Sequence, residues 1–220
     1  MRGLHAARAA LLLAAGFMAG PEAAANDVFA PAHVGAVPAV MLGEIEETAM
    51  PSGLAALCAR SPEACAPIAA GSGPLALTGQ LWRLITSVNS AINHRIIATT
   101  DEQLYGRTEY WTLPQTAGDC EDFVLLKRKT LAADGIPLAS LLMTVVHDEN
   151  GEGHAVLSIP TTMGDMVLDN RRDEVLPWTE TGYKFVKRQS ASNPNVWVSL
   201  AREKLQATDI ASAPEAQHPK

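Results

Sequence analysis

Apolar residues recur at helical spacing in two segments of the chain. The first segment lies between residues 77 and 97, and its apolar positions follow at intervals of four, three and four residues: Leu81, Ile85, Val88 and Ile92. The second runs from Cys120 to about Ala133 and is followed by Gly135 and Pro137, which signal the end of a helix. The pattern therefore predicts two amphipathic helices.

A strand-like pattern replaces the helical one after Pro137. Apolar runs separated by glycine-containing turns predict antiparallel strands at 139–146, 154–160 and 165–170. Further strand or terminal elements are expected at 183–189 and 196–200. Because the helices come first and the strands follow as a meander, we expect an α+β fold in which the helix beginning at Cys120 packs on an antiparallel β-sheet.

The other segments lack a sustained period. Residues 99–115 are predicted to form a long connecting loop. Residues 1–25 combine two arginines, a short apolar run and alanines at the end, which predicts a secretory signal peptide. We expect residues 26–50 to form an extended arm, 51–205 to form one domain and 206–220 to form a flexible tail.

The charge of the chain limits its partners. The formal net charge is −7, and it becomes −8 when residues 1–25 are removed, since they carry Arg2, Arg8 and Glu22. An acidic protein without a basic patch is a poor nucleic-acid binder, so we expect no nucleic-acid partner. No stretch after the signal peptide is long and apolar enough for a membrane helix, so we expect an exported protein that is not embedded in a membrane.

The three cysteines fall into two groups. Cys58 and Cys65 flank a Ser-Pro turn, and in an oxidising compartment they most simply form a disulfide. A zinc pair is the alternative for these two thiols, although no second cluster of Cys and His completes four ligands. Cys120 then has no partner, and it is either a buried, inert residue or a functional thiol.

Cys120, His154 and Asp169 occur in the order expected of a catalytic triad. Cys120 opens a predicted helix, where backbone N–H groups and the helix dipole favour a thiolate. His154 begins one predicted strand and Asp169 ends the next, so an antiparallel turn between them brings the two side chains together. The alternative is a structural histidine and an unrelated aspartate. His147, His94, His33 and His218 fit the role of catalytic base less well.

Acidic residues surround the candidate nucleophile. Asp119, Glu121 and Asp122 adjoin Cys120, and negative charge beside a thiol raises its pKa. A cationic His154, an arginine or lysine from elsewhere, or a bound divalent cation must offset this charge, and Ca²⁺ suits the carboxylates of Asp119 and Glu121. The alternative is that Asp119 caps the helix while Glu121 and Asp122 complement its dipole.

Several motifs together resemble those of the bacterial transglutaminase-like cysteine proteinases, which include the LapG-type periplasmic proteases. The resemblance covers roughly residues 77–178 and rests on these segments: Tyr110–Pro114, Gly118–Phe123 followed by Lys127-Arg128 and Leu131, His154–Leu157, and Leu168–Asn170. It implies a papain-like or transglutaminase-like core, with Cys120 as nucleophile, His154 as general base and acid, and Asp169 as the residue that orients His154. It also implies a calcium site at Asp119 and Glu121.

The resemblance also implies a biological setting. It points to a periplasmic cysteine endopeptidase, with a surface adhesin as protein substrate and an inner-membrane receptor for cyclic-di-GMP as partner. Two alternatives remain open at this stage. The same three residues serve transglutaminase-type or amidase-type acyl transfer, and a non-catalytic binding module could retain them.

Overall fold

A seven-stranded antiparallel sheet forms the centre of the computed structural model, which describes residues 40–71 and 73–200. The strands in chain order are β1 (Glu44–Thr48), β4 (Leu142–His147), β5 (Gly153–Thr161), β6 (Gly164–Asp169), β7 (Arg172–Pro177), β8 (Lys184–Gln189) and β9 (Trp197–Leu200). Their order across the sheet is β1-β9-β8-β4-β5-β6-β7. The short strands β2 (Ile97–Ala98) and β3 (Ala117–Gly118) pair in parallel as a separate unit.

Four α-helices accompany the sheet within the described residues. They are α1 (Ser52–Arg60), α2 (Gly79–Arg95), α3 (Asp101–Tyr105) and α4 (Cys120–Ala133). The hydroxyl of Thr78 accepts a hydrogen bond from the backbone N–H of Leu81 and so caps α2. Gly135 has a φ of +93°, a left-handed conformation that glycine adopts without strain. This conformation terminates the helix after the last turn of α4.

Two apolar layers enclose the sheet. The larger one contains the buried faces of α2 and α4, with Ile85 and Leu131 fully buried against sheet residues such as Leu157 and Leu168. The smaller one lies around Val156 on the other face. The predicted α+β fold is therefore confirmed, with helix α4 packed on the antiparallel sheet.

The register of β5 and β6 sets the position of the candidate site. Leu157 pairs with Leu168, and the pairing continues to the turn, where Thr161 pairs with Gly164. The part of β5 from Gly153 to Val156 extends beyond this pairing, and His154 lies there, near the end of β6 that carries Asp169. The predicted antiparallel turn between the two strands is confirmed.

Several elements differ from the sequence prediction. The segment predicted as a continuous loop, 99–115, contains helix α3, because Thr100 and Gln103 form a reciprocal capping box that stabilises this short turn of helix. Strand β7 was not predicted, because its charged, partly exposed residues give no apolar run. The first predicted strand begins three residues late, at Leu142, since Leu138–Ser140 form a 3₁₀ turn.

The end of the predicted N-terminal arm is part of the sheet. Strand β1 lies within residues 26–50 and pairs with β9. The buried side chains of Arg188 and Asp165 form an ion pair, and both bind the main chain of Leu42. The predicted signal peptide, residues 26–39 of the arm and the predicted tail lie outside the described residues. Within the ranges that are described, no helix is both long and apolar enough to cross a membrane.

Candidate active site

His154 and Asp169 form a buried hydrogen-bonded pair. The Nε2 atom of His154 lies 2.9 Å from Oδ1 of Asp169, and both side chains are 1% exposed. The other imidazole nitrogen, Nδ1, is buried and has no hydrogen-bond partner among the described residues. A carboxylate at Nε2 favours a proton on that nitrogen, so Nδ1 is left as the nitrogen that can accept a proton.

Asp169 receives hydrogen bonds at both carboxylate oxygens. Oδ1 also accepts the backbone N–H of Arg171 at 3.0 Å, and Oδ2 accepts the hydroxyl of Tyr183 at 2.6 Å. Burial alone would raise the pKa of Asp169, but the bonds from His154, Tyr183 and the Arg171 backbone lower the pKa to about 2. Asp169 is therefore an anion at neutral pH and can hold the imidazole in one orientation.

Tyr183 is a site residue that sequence reasoning missed. Besides its bond to Asp169, its ring packs against the His154 ring in a T-shaped arrangement, with the centroids 5.5 Å apart and the planes at 76°. Burial and the hydrogen bond to Asp169 raise the pKa of Tyr183 to about 12, so the hydroxyl remains a donor. No motif signals this role, because Tyr183 lies just before β8 and reaches the site only through the fold of the sheet.

Cys120 is the first residue of α4 and lies in the same cleft as His154. The thiol donates a 3.2 Å hydrogen bond to Oε2 of Glu121. Among the hydrogen bonds of the described residues, none joins Cys120 to His154. Burial, together with the adjacent Glu121 carboxylate, raises the pKa of the Cys120 thiol well above its ordinary value. The thiol is therefore protonated in this arrangement.

Three carboxylates converge beside the thiol. Oxygen atoms of Asp101, Asp119 and Glu121 lie within 4.8 Å of one another. Burial, and then the charge of Asp119, raise the pKa of Glu121 to about 8, and burial also raises the pKa of Asp119. One oxygen of Asp101 and one of Asp119 are buried without a hydrogen-bond partner among the described residues. Such a set of orphaned acidic oxygens fits a hard cation.

Asp101 is the second site residue that sequence reasoning missed. It lies in the segment predicted as loop, at the first position of α3, and it is 1% exposed. Its other oxygen accepts the backbone N–H of Tyr110. One local signal was available. Thr100 and Gln103 have the spacing of a capping box at the start of a helix, and this places the acid Asp101 in the first turn.

The flanking acids do not act as helix caps. Asp119 occupies the N-cap position of α4 but makes no side-chain capping bond. Asp122 instead accepts the backbone N–H of Thr112 at 2.7 Å and ties the preceding loop to α4. A Cβ atom at Gly118 would lie 2.6 Å from Oδ2 of Asp122, so the close approach of this backbone to α4 requires glycine.

A cleft of about 400 Å³ contains the candidate nucleophile and base. Its lining residues come from β2 and the loop after it, the start of α4, the start of β5 and the turn after β6. Its one guanidinium or ammonium group among the described residues belongs to Arg171, which is bound to Asp148 at 2.7 Å. The charge of the three carboxylates is therefore not offset by a free arginine or lysine in the cleft.

Comparison with known proteins matches residues 44–205 to the family of bacterial transglutaminase-like cysteine proteinases. The chain belongs to this family. Among solved structures, calcium-bound LapG of Legionella pneumophila is 26% identical, with 57% of this chain and 74% of that chain covered and a TM-score of 0.47. LapG of the same organism without a stated ligand is 28% identical, over 54% and 67% of the chains, with a TM-score of 0.46. EGTA-treated LapG is also 28% identical, over 55% and 67%, with a TM-score of 0.45. No curated protein matches the chain.

The other cysteines of this cysteine proteinase form a disulfide. Cys58 and Cys65 are bonded, with their Cα atoms 5.4 Å apart, and they join the end of α1 to the 3₁₀ turn that follows. The bond confirms the predicted pairing and leaves neither thiol free to bind zinc. Cys120 is the one free cysteine among the described residues of the proteinase.

Two of the four competing histidines are described, and neither lines the cleft. His94 is exposed on α2, with its ring 3.5 Å from Asp173, and His147 is the last residue of β4. His33 and His218 lie outside the described residues. The structure thus brings His154, and neither His94 nor His147, into the cleft with Cys120.

Proposed function

We propose that this proteinase is an endopeptidase with Cys120 as nucleophile, His154 as general base and acid, and Asp169 as the residue that orients His154. The observation that carries this proposal is the 2.9 Å bond between Nε2 of His154 and Asp169, formed in the same cleft as Cys120. This bond leaves Nδ1 of the imidazole unpartnered and able to take the thiol proton.

The reaction follows from these roles. The Cys120 thiol gives its proton to Nδ1 of His154, and the sulfur attacks a peptide carbonyl carbon. The imidazolium then protonates the departing amine, which leaves a thioester on Cys120. Water attacks the thioester, His154 takes a proton from that water, and the acid product leaves with the thiol restored. The backbone N–H of Cys120, at the start of α4, is positioned to donate to the oxyanion.

The backbone edge of β2 beside the nucleophile can pair with an extended peptide. The backbone N–H groups of Ile97 and Thr99 donate to the carbonyls of Thr116 and Gly118, so these residues face β3. Strand geometry then turns the N–H and C=O of Ala98 to the opposite side, and Ala98 lines the cleft. We infer that a substrate strand pairs with Ala98 and thereby presents its carbonyl to Cys120.

Calcium dependence is part of the proposal. Asp101, Asp119 and Glu121 would hold the ion, since their oxygens converge and two of these oxygens lack a protein partner among the described residues. A bound Ca²⁺ would supply positive charge that neutralises the carboxylates beside the thiol. Glu121 and Asp119 then no longer oppose formation of a thiolate at Cys120.

The proposed setting rests on the signal-peptide pattern of residues 1–25 for export and on the sequence resemblance for the periplasm, the substrate and the receptor. It consists of export to the periplasm by the segment 1–25, a surface adhesin as protein substrate, and an inner-membrane cyclic-di-GMP receptor as partner. The test compares the cell-surface proteins of strains that carry the native protein or the variant Cys120→Ala. One surface protein should gain a longer N-terminus in the variant strain.

A purified-protein assay separates proteolysis from acyl transfer. The candidate surface protein is incubated with the native enzyme and calcium, and with Cys120→Ala as the control. Endopeptidase activity yields backbone fragments, whereas ammonia release or cross-linking without fragments would replace this proposal with transfer at a side chain.

A further inference from the structure

Lys127 is a buried amine that the proposed reaction does not use. It lies on α4, seven residues or about two helical turns after Cys120, and is 1% exposed. Its Nζ donates a 2.7 Å hydrogen bond to Oδ1 of Asn89, and within the described part of the chain it has no other hydrogen-bond partner. Burial of an amine beside a neutral amide costs free energy of folding, so its presence at this position needs a physical explanation.

Asn89 belongs to a clamp on the β6–β7 hairpin, whose turn joins Asp169 at the end of β6 to Arg172 at the start of β7. Its Nδ2 donates to the backbone carbonyls of Arg172 and Asp173, each at 3.0 Å. One helical turn later on α2, Nδ2 of Asn93 donates to the carbonyl of Asp169 at 2.9 Å and to that of Arg172 at 3.0 Å. Two amide side chains on one face of α2 thus hold the β6–β7 turn by its backbone.

Lys127 determines which way the Asn89 amide faces. An amine donates hydrogen bonds, so it selects the oxygen of the amide and turns the two N–H donors towards the carbonyls of the turn. Burial lowers the pKa of Lys127 to about 7, while the charges of Asp169 and Asp173 act in the opposite direction. Both the charged and the neutral amine can donate to Asn89, so the arrangement holds on either side of this pKa.

We propose that Lys127 is a positioning residue of the candidate triad. Through Asn89 it links the helix that carries Cys120 to the start of β7, three residues after Asp169, and so keeps the carboxylate in line with Nε2 of His154. The inference rests on the proposed roles of Cys120, His154 and Asp169. The chain of contacts runs from Lys127 to Asn89 and from there to the backbone that follows Asp169.

The test uses the variant Lys127→Met, which fills the same space with an apolar chain. Its matched control is Lys129→Met, which removes an exposed lysine from the same helix. Two quantities are measured at neutral pH with calcium: the second-order rate of Cys120 alkylation by iodoacetamide, and the downfield NMR resonance of the His154 Nε2 proton. We expect Lys127→Met to slow alkylation about tenfold and to broaden or shift the resonance, because small misplacements of a catalytic group are costly in rate. Lys129→Met should change neither.

A second variant keeps the inference falsifiable if Lys127→Met does not fold. Asn89→Asp retains an oxygen for Lys127 but removes the two N–H donors, and it should also slow alkylation and disturb the His154 resonance. A folded variant of either kind with native rate and native resonance overturns the inference. The variant His154→Ala separates this result from failure of the proposed function: if it is alkylated as fast as the native protein, the proposed triad itself is wrong.

Discussion

The hydroxyl of Tyr183 donates a 2.6 Å hydrogen bond to Oδ2 of Asp169, the carboxylate oxygen that His154 does not use. The same ring packs against the His154 imidazole in a T-shaped arrangement. A single side chain therefore fixes the carboxylate and covers the base, although it lies 14 residues after the aspartate in the sequence.

The variant Tyr183→Phe tests the hydroxyl without removing the ring. A hydrogen bond to a buried carboxylate contributes about 1–3 kcal/mol, so the free energy of unfolding should fall by roughly that amount. Alkylation of Cys120 should slow as Asp169 gains freedom to rotate. Urea denaturation and iodoacetamide kinetics measure the two effects, with the exposed Tyr105→Phe as control. A variant with native stability would mean that the bond to Asp169 contributes nothing.

The three-carboxylate cluster predicts stabilisation by calcium. Addition of Ca²⁺ should raise the melting temperature of the native protein, since the ion binds only where the fold brings the carboxylates together. Asp101→Asn should weaken this shift as strongly as Asp119→Ala. Glu102→Gln, on the exposed side of the same short helix, should leave it intact. A native protein whose melting temperature is the same in calcium and in EGTA would exclude the site.

Asp169 should make stability fall in acid. Its pKa of about 2 lies below the ordinary value of 3.8, so between these values the unfolded chain binds a proton that the native state does not. The contribution, on the order of 2 kcal/mol, is present above about pH 4 and is lost as the pH falls towards 2. Urea denaturation across this pH range should show that the free energy of unfolding falls less in acid for Asp169→Asn than for the native protein. The control is Asp134→Asn, and equal acid losses in all three proteins would contradict the prediction.

The outward-facing backbone of Ala98 predicts a selective effect of proline. Ala98→Pro removes the N–H that faces the cleft but keeps those of Ile97 and Thr99, which hold β2 to β3. Cleavage of a protein substrate should fall at least tenfold while iodoacetamide still alkylates Cys120 at the native rate, because the small reagent needs no strand pairing. Ala98→Val retains the N–H and is the matched control. Native cleavage by the proline variant would rule out pairing at this residue.

The sequence predicts the local parts of the site better than the distant ones. The end of α4 at Ala133 and the turn between β5 and β6 follow from helix-stop and turn signals close by in the chain, and the nearness of His154 to Asp169 follows from that turn. Tyr183 and Asp101 reach the site by long-range packing, and the helix-start pattern at Thr100 predicts a helix at Asp101 but not its contact with Asp119 and Glu121. Strand β1 was predicted as part of an arm, because its five exposed residues show no apolar face and its pairing with β9 is remote in sequence.

The hydrogen bond from Cys120 to Glu121 has a consequence for the resting enzyme. Oxidants such as peroxide attack the thiolate, and a thiol held in its protonated form reacts slowly with them. The carboxylate that discourages premature ionisation therefore also guards the sulfur from sulfenic and sulfinic acid damage. In the proposed calcium-bound form, in which the charge beside the thiol is neutralised, this protection would be weaker.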